Sequence, residues 1–449
     1  MMFDKDTNIQ NMFELLLRGE KRVILFGAGK GLTKYVNKIN RYIWWLCDDW
    51  KTPAYISNES QYPHSYVALE QFVDYVIDND ENKQHRYIAL NGRQFQVKPA
   101  ALLEKIDSKK YILIIVTDKY EKEIREQLEQ IENIKDMPRY SYWFNMHYYE
   151  TYSRGLIVDR VIKPYMEQME NYYVRNGWQY PDNEYDQIKE LIGKGEYIAN
   201  GVAFQITTIC NLKCKYCADY VPKMREHRNM DLDKVLDDID TFFRVTSKCL
   251  YVQLSTAEAL LCPNLGVILE KLLSMDKVRY IEIFTNGVSY PKDEKVLKLL
   301  SNPKIVIYMS NYNMPEKTDM SRKVYEQHGI HVLFSQTQSW KIEGTPPYDH
   351  NLSHEALCNT YMMCEQAYIC PHEIAEGRLT RCGRIQRFVE VSDFDSEHDY
   401  IDFVNYQTEE ELKRALIKLN LEPYLDGCAW CAVPCQKPDA FIPPAEQLA

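Results

Sequence analysis

The stretch "TTICNLKCKYCADY" (residues 207–220) holds three cysteines, Cys210, Cys214 and Cys217, within eight residues. Three thiolates on one short loop can bind three corners of an iron–sulfur cube and leave the fourth iron open to another ligand. A structural zinc site takes a fourth protein ligand and usually shows paired C-x-x-C knuckles, whereas a redox C-x-x-C needs only two cysteines. The spacing therefore favours an iron–sulfur site with one open position.

Length, charge and cysteine content limit the class of protein. A chain of 449 residues is long enough for two or three domains, and a net charge of −11 argues against non-specific binding of nucleic acid or anionic membranes. The first residues show no basic region followed by an apolar run, and the longest apolar stretches are only as long as a strand. We expect a cytoplasmic protein with no nucleic-acid or membrane partner, in which most of the thirteen cysteines serve metal binding rather than disulfides.

Residues 200–345 alternate regularly between strand and helix patterns, beginning with the strand "YIANGVAFQITT" (197–208) and ending with "HVLFSQ" (331–336). Repeated strand–helix units with short connections predict parallel strands and a full or partial (β/α) TIM-like barrel. Chemistry in such barrels gathers at the carboxyl ends of the strands. The three-cysteine loop follows the first strand, so it is expected at that end.

The cysteine spacing, with Tyr216 just before the last cysteine, closely resembles the signature of radical S-adenosylmethionine (radical SAM) enzymes. The resemblance implies that Cys210, Cys214 and Cys217 hold a 4Fe-4S cluster whose open iron binds the amino and carboxylate groups of SAM. It also implies reductive cleavage of SAM to a 5′-deoxyadenosyl radical, which abstracts hydrogen from a substrate. A reductant such as flavodoxin or ferredoxin is the expected partner.

The resemblance extends to three further segments. The family's glycine-glycine-glutamate segment corresponds to "LSTAEALLCPNL" (254–265), where Thr256 and Ala257 replace both glycines and Glu258 is kept. "FTNG" (284–287) and "MSNYN" (309–313) match places where the family contacts the methionine or ribose of SAM. The resemblance thus implies a set of SAM-binding residues: Tyr216, Thr256, Ala257, Glu258, Asn286 and Ser310.

Residues 346–449 hold seven of the thirteen cysteines and read as a hairpin flanked by thiols, followed by "DGCAWCAVPC" (426–435). The candidate metal ligands are Cys364, Cys370, Cys382, Cys428, Cys431 and Cys435. We favour Cys364, Cys382, Cys428 and Cys431, with Cys370, placed in the first hairpin strand, and Cys435 as substitutes. The arrangement resembles the SPASM or twitch extension that binds an auxiliary 4Fe-4S cluster in radical SAM enzymes, and "PPAEQL" (443–448) resembles the tails of such proteins. Zinc is the alternative metal for these cysteines.

Residues 1–140 alternate between strand and helix and predict a Rossmann-like doubly wound domain. Gly27, Gly29 and Gly31 follow the strand "RVILF" and precede a helix, and Asp48 ends the next predicted strand, "YIWWLCDD" (42–49). Leu32 stands at the last glycine position of G-x-G-x-x-G. These four candidate residues suit a nucleotide whose phosphates meet the helix N-terminus, and a cofactor-free docking domain is the alternative.

Residues 141–199 are rich in Tyr and Trp and predict helices that pack as a linker between the domains. An aromatic surface for a sugar or a base is the alternative interpretation. Glycine-rich domains that resemble residues 1–140 occur fused to sugar-modifying enzymes. The sequence therefore favours an enzyme that oxidises, dehydrates or epimerises a sugar, a nucleotide-sugar or a similar small molecule. A peptide-modifying maturase and a non-catalytic iron–sulfur or zinc scaffold are the two alternatives, the latter because of the Thr256–Ala257 replacement.

Overall fold

The computed structural model describes residues 15–29, 31–33, 35–36, 39–40, 68–117, 120–140, 187, 190–192, 194–254, 257–310, 312, 314–335, 340–341, 347–353, 356–357, 360–361, 364, 371–422, 424–431, 441–442 and 444–448. The described residues up to Gly195 belong to one compact unit and those from Glu196 onward to a second.

The first unit contains a six-stranded sheet and the α-helix α1 (Glu121–Glu129), and its described residues 15–17, 31–33, 35–36, 39–40, 187 and 190–192 are also helical. Its strands are β1 (Arg22–Phe26), β2 (Val73–Asp78), β3 (Tyr87–Leu90), β4 (Arg93–Pro99), β5 (Tyr111–Ile115) and β6 (Arg139–Tyr140). The 3₁₀ helices of this unit are Leu69–Gln71, Ala100–Glu104, Ser108–Lys110 and Glu132–Ile134.

The strands of this sheet lie in the order β3-β4-β2-β1-β5-β6, and every neighbouring pair is parallel except β3 and β4. Strands β1 and β5 are buried over all but their first residue, because an apolar run of Val, Ile and Leu suits a parallel strand covered on both faces. The strand–helix alternation predicted for residues 1–140 is confirmed at the strands that begin at residues 22 and 111 and at the helix after residue 120. The predicted strand at 42–49 lies outside the described residues.

The second unit is built on β7 (Tyr197–Phe204), β8 (Thr246–Leu254), β9 (Val278–Thr285), β10 (Ile305–Ser310), β11 (Val332–Ser335), β12 (Trp340–Lys341), β13 (His372–Ala375), β14 (Arg378–Thr380), β15 (Tyr400–Asp402) and β16 (Phe441–Ile442). Its α-helices are α2 (Leu232–Val245), α3 (Leu265–Leu273), α4 (Glu294–Leu300), α5 (Pro315–Gln327), α6 (Gly383–Val391) and α7 (Glu409–Leu421). Its 3₁₀ helices are Val221–Lys223, Ala259–Leu261, Phe403–Asn405 and Asp426–Ala429.

Strands β7 to β11 are parallel neighbours in chain order, each separated from the next by a helix, as the alternation in residues 200–345 predicts. This parallel arrangement is consistent with a partial barrel. Local signals start the helices where expected: Asp231 accepts a hydrogen bond from the Lys234 N–H at the start of α2, and Thr408 and Glu411 form a capping box at the start of α7.

The sheet continues past its first strand into the cysteine-rich region. Strand β13 pairs parallel with β7, and β14 and β15 follow antiparallel, so the full order is β11-β10-β9-β8-β7-β13-β14-β15. The predicted hairpin forms with its turn at Glu376 and Gly377, both at positive φ. Its first strand begins at His372, and Cys370, predicted in that strand, lies outside the described residues. Strand β7 is buried at all eight positions because neighbours cover both of its edges and both faces.

The two faces of the parallel sheet differ in character. Phe204 of β7 meets the rings of Phe242 and Phe243 on α2, so this side of the sheet is packed by helices. Gly201 points to the opposite face and lies beside Tyr251 of β8, whose ring atoms would lie 2.2 Å from a Cβ at position 201. Glycine is therefore required there by close packing rather than by backbone conformation. None of the described helices is long and apolar enough to cross a membrane.

Candidate active site

The three-cysteine loop leaves the carboxyl end of β7 and is anchored by two buried threonines. The Thr208 hydroxyl accepts a hydrogen bond from the Arg228 N–H at 2.8 Å, and the Thr207 hydroxyl donates to Asn229 Oδ1 at 2.9 Å. The Ile209 carbonyl accepts from the Glu258 N–H at 3.1 Å, which joins the loop to the segment after β8. These bonds fix the backbone on the N-terminal side of Cys210.

The cysteines of this loop are partly or fully shielded from solvent, and burial raises the pKa of all three thiols. The pKa of Cys210 is raised to about 11, with further contributions from the nearby charges of Glu258 and Cys214. The pKa of Cys217 is raised to about 12, with Asp219 adding to the effect of burial. Because three adjacent thiolates without a cation are unfavourable, the loop suits an electropositive group that takes thiolate ligands, as iron–sulfur clusters do. Among the residues described, no three His, Cys, Asp or Glu side chains already converge on one metal-ion position.

The segment after β8 retains the conformation that a glycine would supply. Ala257 has φ +53, in the left-handed region that favours glycine, at a cost of about 1 kcal/mol for an alanine. Thr256 lies outside the described residues. Glu258 is fully buried, and its Oε2 accepts from the Asn286 N–H at 2.9 Å. Burial raises the pKa of Glu258 to about 7, against the lowering effect of that N–H.

Asn286, at the end of β9, links the third strand to the cysteine loop. Its Nδ2 donates to Asn211 Oδ1 at 2.7 Å and lies 3.7 Å from Cys210 Sγ, while Asn211 Nδ2 donates to Ser289 Oγ at 2.9 Å. The structure thus brings Asn286, Glu258 and Cys210 together. Asn211 is not among the predicted SAM-binding residues, although it directly follows the first cysteine of the motif.

The other two described residues predicted to bind SAM, Ser310 and Tyr216, have different neighbours near the cysteine loop. Ser310 ends β10 and hydrogen-bonds with the Tyr312 side chain, which packs against Leu212 and Cys214. Burial raises the pKa of Tyr312 well above its usual range, and the nearby Cys214 and Cys217 thiols add to the effect. Tyr216 is covered by the Lys215 ammonium, 5.0 Å from the ring centroid. Tyr312 carries no motif signal beyond its position in "MSNYN".

A buried ion network connects the cysteine loop to the predicted auxiliary region. The Arg387 guanidinium on α6 lies 2.9 Å from Asp219 Oδ1 and 2.6 Å from Glu373 Oε1 on β13. Asp219 follows Cys217 by two residues, and α6 begins directly after Cys382. The same arginine therefore supports both cysteine-bearing segments.

Cys428 lies within electrostatic range of the other three favoured auxiliary cysteines. Burial raises the pKa of Cys428 well above its usual value, and the charges of Cys364, Cys382 and Cys431 add to that rise. The buried Asp399 accepts the N–H groups of Asp426 and Gly427 at 2.7 Å each and so holds the turn that leads into Cys428. Cys370 and Cys435 lie outside the described residues.

In the glycine loop of the first unit, the backbone conformation and close packing explain why the first residue is glycine. Gly27 has φ +121, and a Cβ there would lie 3.1 Å from the Val116 carbonyl oxygen. The Ala28 N–H donates to Asp78 Oδ2 at 2.7 Å, so one backbone N–H of the loop is already hydrogen-bonded to a protein carboxylate. Gly29 and Gly31 face open space. Asp48 lies outside the described residues, and Asp78, at the end of β2, is not among the predicted nucleotide-binding residues.

Residues 204–318 match the sequence model of the Radical SAM superfamily, which spans the cysteine loop and strands β8 to β10. No curated protein sequence matches the chain.

Solved structures similar to the chain include native anSMEcpe with bound AdoMet and Cp18Cys peptide, with 16% identity, 30% of this chain and 42% of that chain covered, and a TM-score of 0.25. SuiB of Streptococcus suis bound to S-adenosylmethionine shows 16% identity, 40% and 45% coverage and a TM-score of 0.26. BtrN in complex with AdoMet and 2-DOIA shows 16% identity, 50% and 89% coverage and a TM-score of 0.30. The chain thus covers less than half the length of the first two of these structures.

Proposed function

Because residues 204–318 are a radical SAM domain and the chain is an enzyme of the radical SAM class, we propose that it cleaves SAM reductively to act on a sugar-type small molecule. The observation that supports this most directly is the match to the superfamily over the segment that contains Cys210, Cys214 and Cys217. These three thiols would hold a 4Fe-4S cluster. Once bound and reduced by a protein such as flavodoxin or ferredoxin, such a cluster would supply the one electron needed to cleave SAM to methionine and a 5′-deoxyadenosyl radical, which would abstract hydrogen from the substrate.

The residues around the loop are assigned to SAM by their positions at the ends of the strands. The backbone at Ala257, in its left-handed conformation, would offer a carbonyl group to the amino group of SAM, and Glu258 braces this segment against the Asn286 N–H. Asn286 and Ser310 lie at the ends of β9 and β10 as candidates for the methionine or ribose part, and Tyr216 for the adenine.

The face of the sheet opposite the helices supports a small hydroxylated substrate. Tyr251 and Tyr280 stack with centroids 5.8 Å apart, and Phe284 and Tyr308 with centroids 4.8 Å apart. The Tyr308 hydroxyl donates to Glu282 Oε1 at 3.4 Å on this same face. These rings are buried and stack on one another, so a sugar at this face would use the Glu282 carboxyl and the phenolic hydroxyls for its hydroxyl groups.

We also propose that Cys364, Cys382, Cys428 and Cys431 bind an auxiliary 4Fe-4S cluster. The pKa of Cys428 is raised first by burial and then by the charges of the other three thiols, which supports one shared site. Such a cluster would accept an electron from a substrate radical in an oxidation, or would position the substrate.

The test of SAM cleavage is anaerobic reconstitution with iron and sulfide, followed by dithionite and SAM, with 5′-deoxyadenosine measured by chromatography. Wild-type protein is expected to form 5′-deoxyadenosine, and Cys214→Ala to form none. Cys249→Ala is the matched control, because that thiol is fully buried in β8 away from the loop. Wild-type protein that carries its full iron but yields no 5′-deoxyadenosine would overturn the proposal.

The substrate class is tested by the stimulation of SAM cleavage. Nucleotide-sugars and free sugars are expected to accelerate 5′-deoxyadenosine formation and to transfer deuterium from a labelled substrate into it. Glu282→Gln is expected to weaken this stimulation while leaving the slow cleavage without substrate unchanged. Stimulation by peptides alone would instead assign the chain to the peptide-modifying enzymes and contradict the sugar proposal.

A further inference from the structure

The segment Ala445–Leu448 pairs with the cysteine loop across more than two hundred residues of sequence. Gln447 forms an antiparallel bridge with Cys214, the Lys215 N–H donates to the Glu446 carbonyl at 2.7 Å, and the Leu448 N–H donates to the Lys213 carbonyl at 2.8 Å. The backbone on both sides of Cys214 is therefore hydrogen-bonded to this segment. Gln447 is consequently held at one fixed position beside the middle cysteine.

The side chain of Gln447 has only one orientation that satisfies its neighbours. Its Oε1 accepts from the Lys213 N–H at 2.8 Å, and its Nε2 donates to the Ala445 carbonyl at 2.7 Å. A flipped amide would place an NH₂ group against an N–H and an oxygen against a carbonyl. The second proton of Nε2 is thereby directed at Cys214 Sγ, which lies 3.2 Å away.

The surroundings of this contact are apolar. Cys214 and Ala445 are both 7% exposed and pack with Leu212, while Tyr312 and Met314 lie against the same cluster of side chains. A hydrogen bond is electrostatically stronger where water is excluded. Gln447 itself is exposed, so the Cys214 sulfur is shielded from water while the donating amide lies at the edge of this cluster.

We propose that Gln447 is a positioning residue that donates a hydrogen bond to the Cys214 thiolate of the loaded cluster and raises the reduction potential of that cluster. This inference rests on the proposed function. A donor to a ligating sulfur withdraws negative charge from the cluster, so it stabilises the reduced form, which carries the extra electron. The same contact shields one ligand from solvent and slows loss of the cluster.

The experiment compares three variants of the full chain after anaerobic reconstitution. Gln447→Leu removes the donor, and Gln447→Glu replaces the amide with a group that cannot donate when ionised. Glu446→Gln is the matched control, since it removes only the exposed ion pair with Lys215 at 3.2 Å and leaves the backbone pairing intact. The readouts are the midpoint potential of the SAM-responsive cluster in an electron paramagnetic resonance titration, and the rate of iron loss to a chelator.

We expect a more negative midpoint in Gln447→Leu and a still more negative one in Gln447→Glu, with faster iron loss in both and neither change in Glu446→Gln. Faster iron loss with an unchanged midpoint would mean that the segment only packs over the loop, and would overturn the inference. Equal values in all four proteins would overturn it as well. Wild-type protein that binds no iron through the loop would instead refute the proposed function, and the inference with it.

Discussion

Replacing Arg387 with methionine leaves two carboxylates without their shared cation. The Arg387 side chain is 3% exposed and that of Glu373 4%, whereas Asp219 is 37% exposed and can be hydrated. The cost falls mainly on Glu373, because removing one partner of a buried ion pair typically destabilises a protein by about 3–5 kcal/mol. We therefore expect Arg387→Met to lower the free energy of unfolding by about that amount.

The assay is urea unfolding of the full metal-free chain under reducing conditions, followed by tryptophan fluorescence and by circular dichroism. With a slope of about 3 kcal/mol per M urea, the expected loss corresponds to a midpoint lower by about 1–1.7 M. Arg387→Met combined with Glu373→Leu is expected to recover most of this loss, because it also removes the buried carboxylate that has lost its arginine. Arg414→Met is the control, since its pair with Glu410 is exposed and contributes less than about 0.5 kcal/mol.

A free energy of unfolding for Arg387→Met within about 1 kcal/mol of wild type, at an unchanged slope, would contradict the expected loss of about 3–5 kcal/mol. A double variant no more stable than the single one would contradict it as well, because the loss would then come from packing of the arginine stem rather than from the Glu373 carboxylate.

Three further changes have defined outcomes. Burial raises the pKa of Glu282 from 4.5 to about 8, so its proton-linked stabilisation is complete below pH 4.5 and is lost as the pH rises to about 8. Glu282→Gln should flatten that part of the pH–stability profile, and an unchanged profile would contradict the assignment. Gly201→Ala should destabilise the second unit by about 1–3 kcal/mol because its Cβ meets the Tyr251 ring, with partial rescue by Tyr251→Leu in thermal unfolding; equal melting temperatures would refute this. Cys428→Ala should remove about four of about eight irons per chain while 5′-deoxyadenosine formation without substrate persists, and bound zinc in the wild type would instead identify a zinc site.

The sequence by itself predicted the elements that depend on local patterns. The alternation in residues 200–345 predicted each strand from β7 to β11 and each helix from α2 to α5. It could do so because the spacing of apolar side chains indicates whether one face or both faces of an element are buried. The class of chemistry could also be predicted from a local pattern, because all three cysteines lie in one loop and their spacing is recognised without the tertiary structure. The match over residues 204–318 confirmed it.

What the local pattern did not reveal lies in contacts between distant segments. The spacing of the hairpin cysteines predicted β13 and β14, but not that β13 extends the parallel sheet beside β7, because any free strand edge offers the same backbone donors and acceptors.

The tertiary structure alone decided which side chains meet the cysteine loop. Gln447 reaches Cys214 across 233 residues, and Arg387 joins Asp219 to Glu373. Neither contact has a periodic signal, because a single hydrogen bond or ion pair depends on where two independently folded segments come to lie. The cysteine motif thus determined the chemistry, while packing determined the environment in which that chemistry is placed.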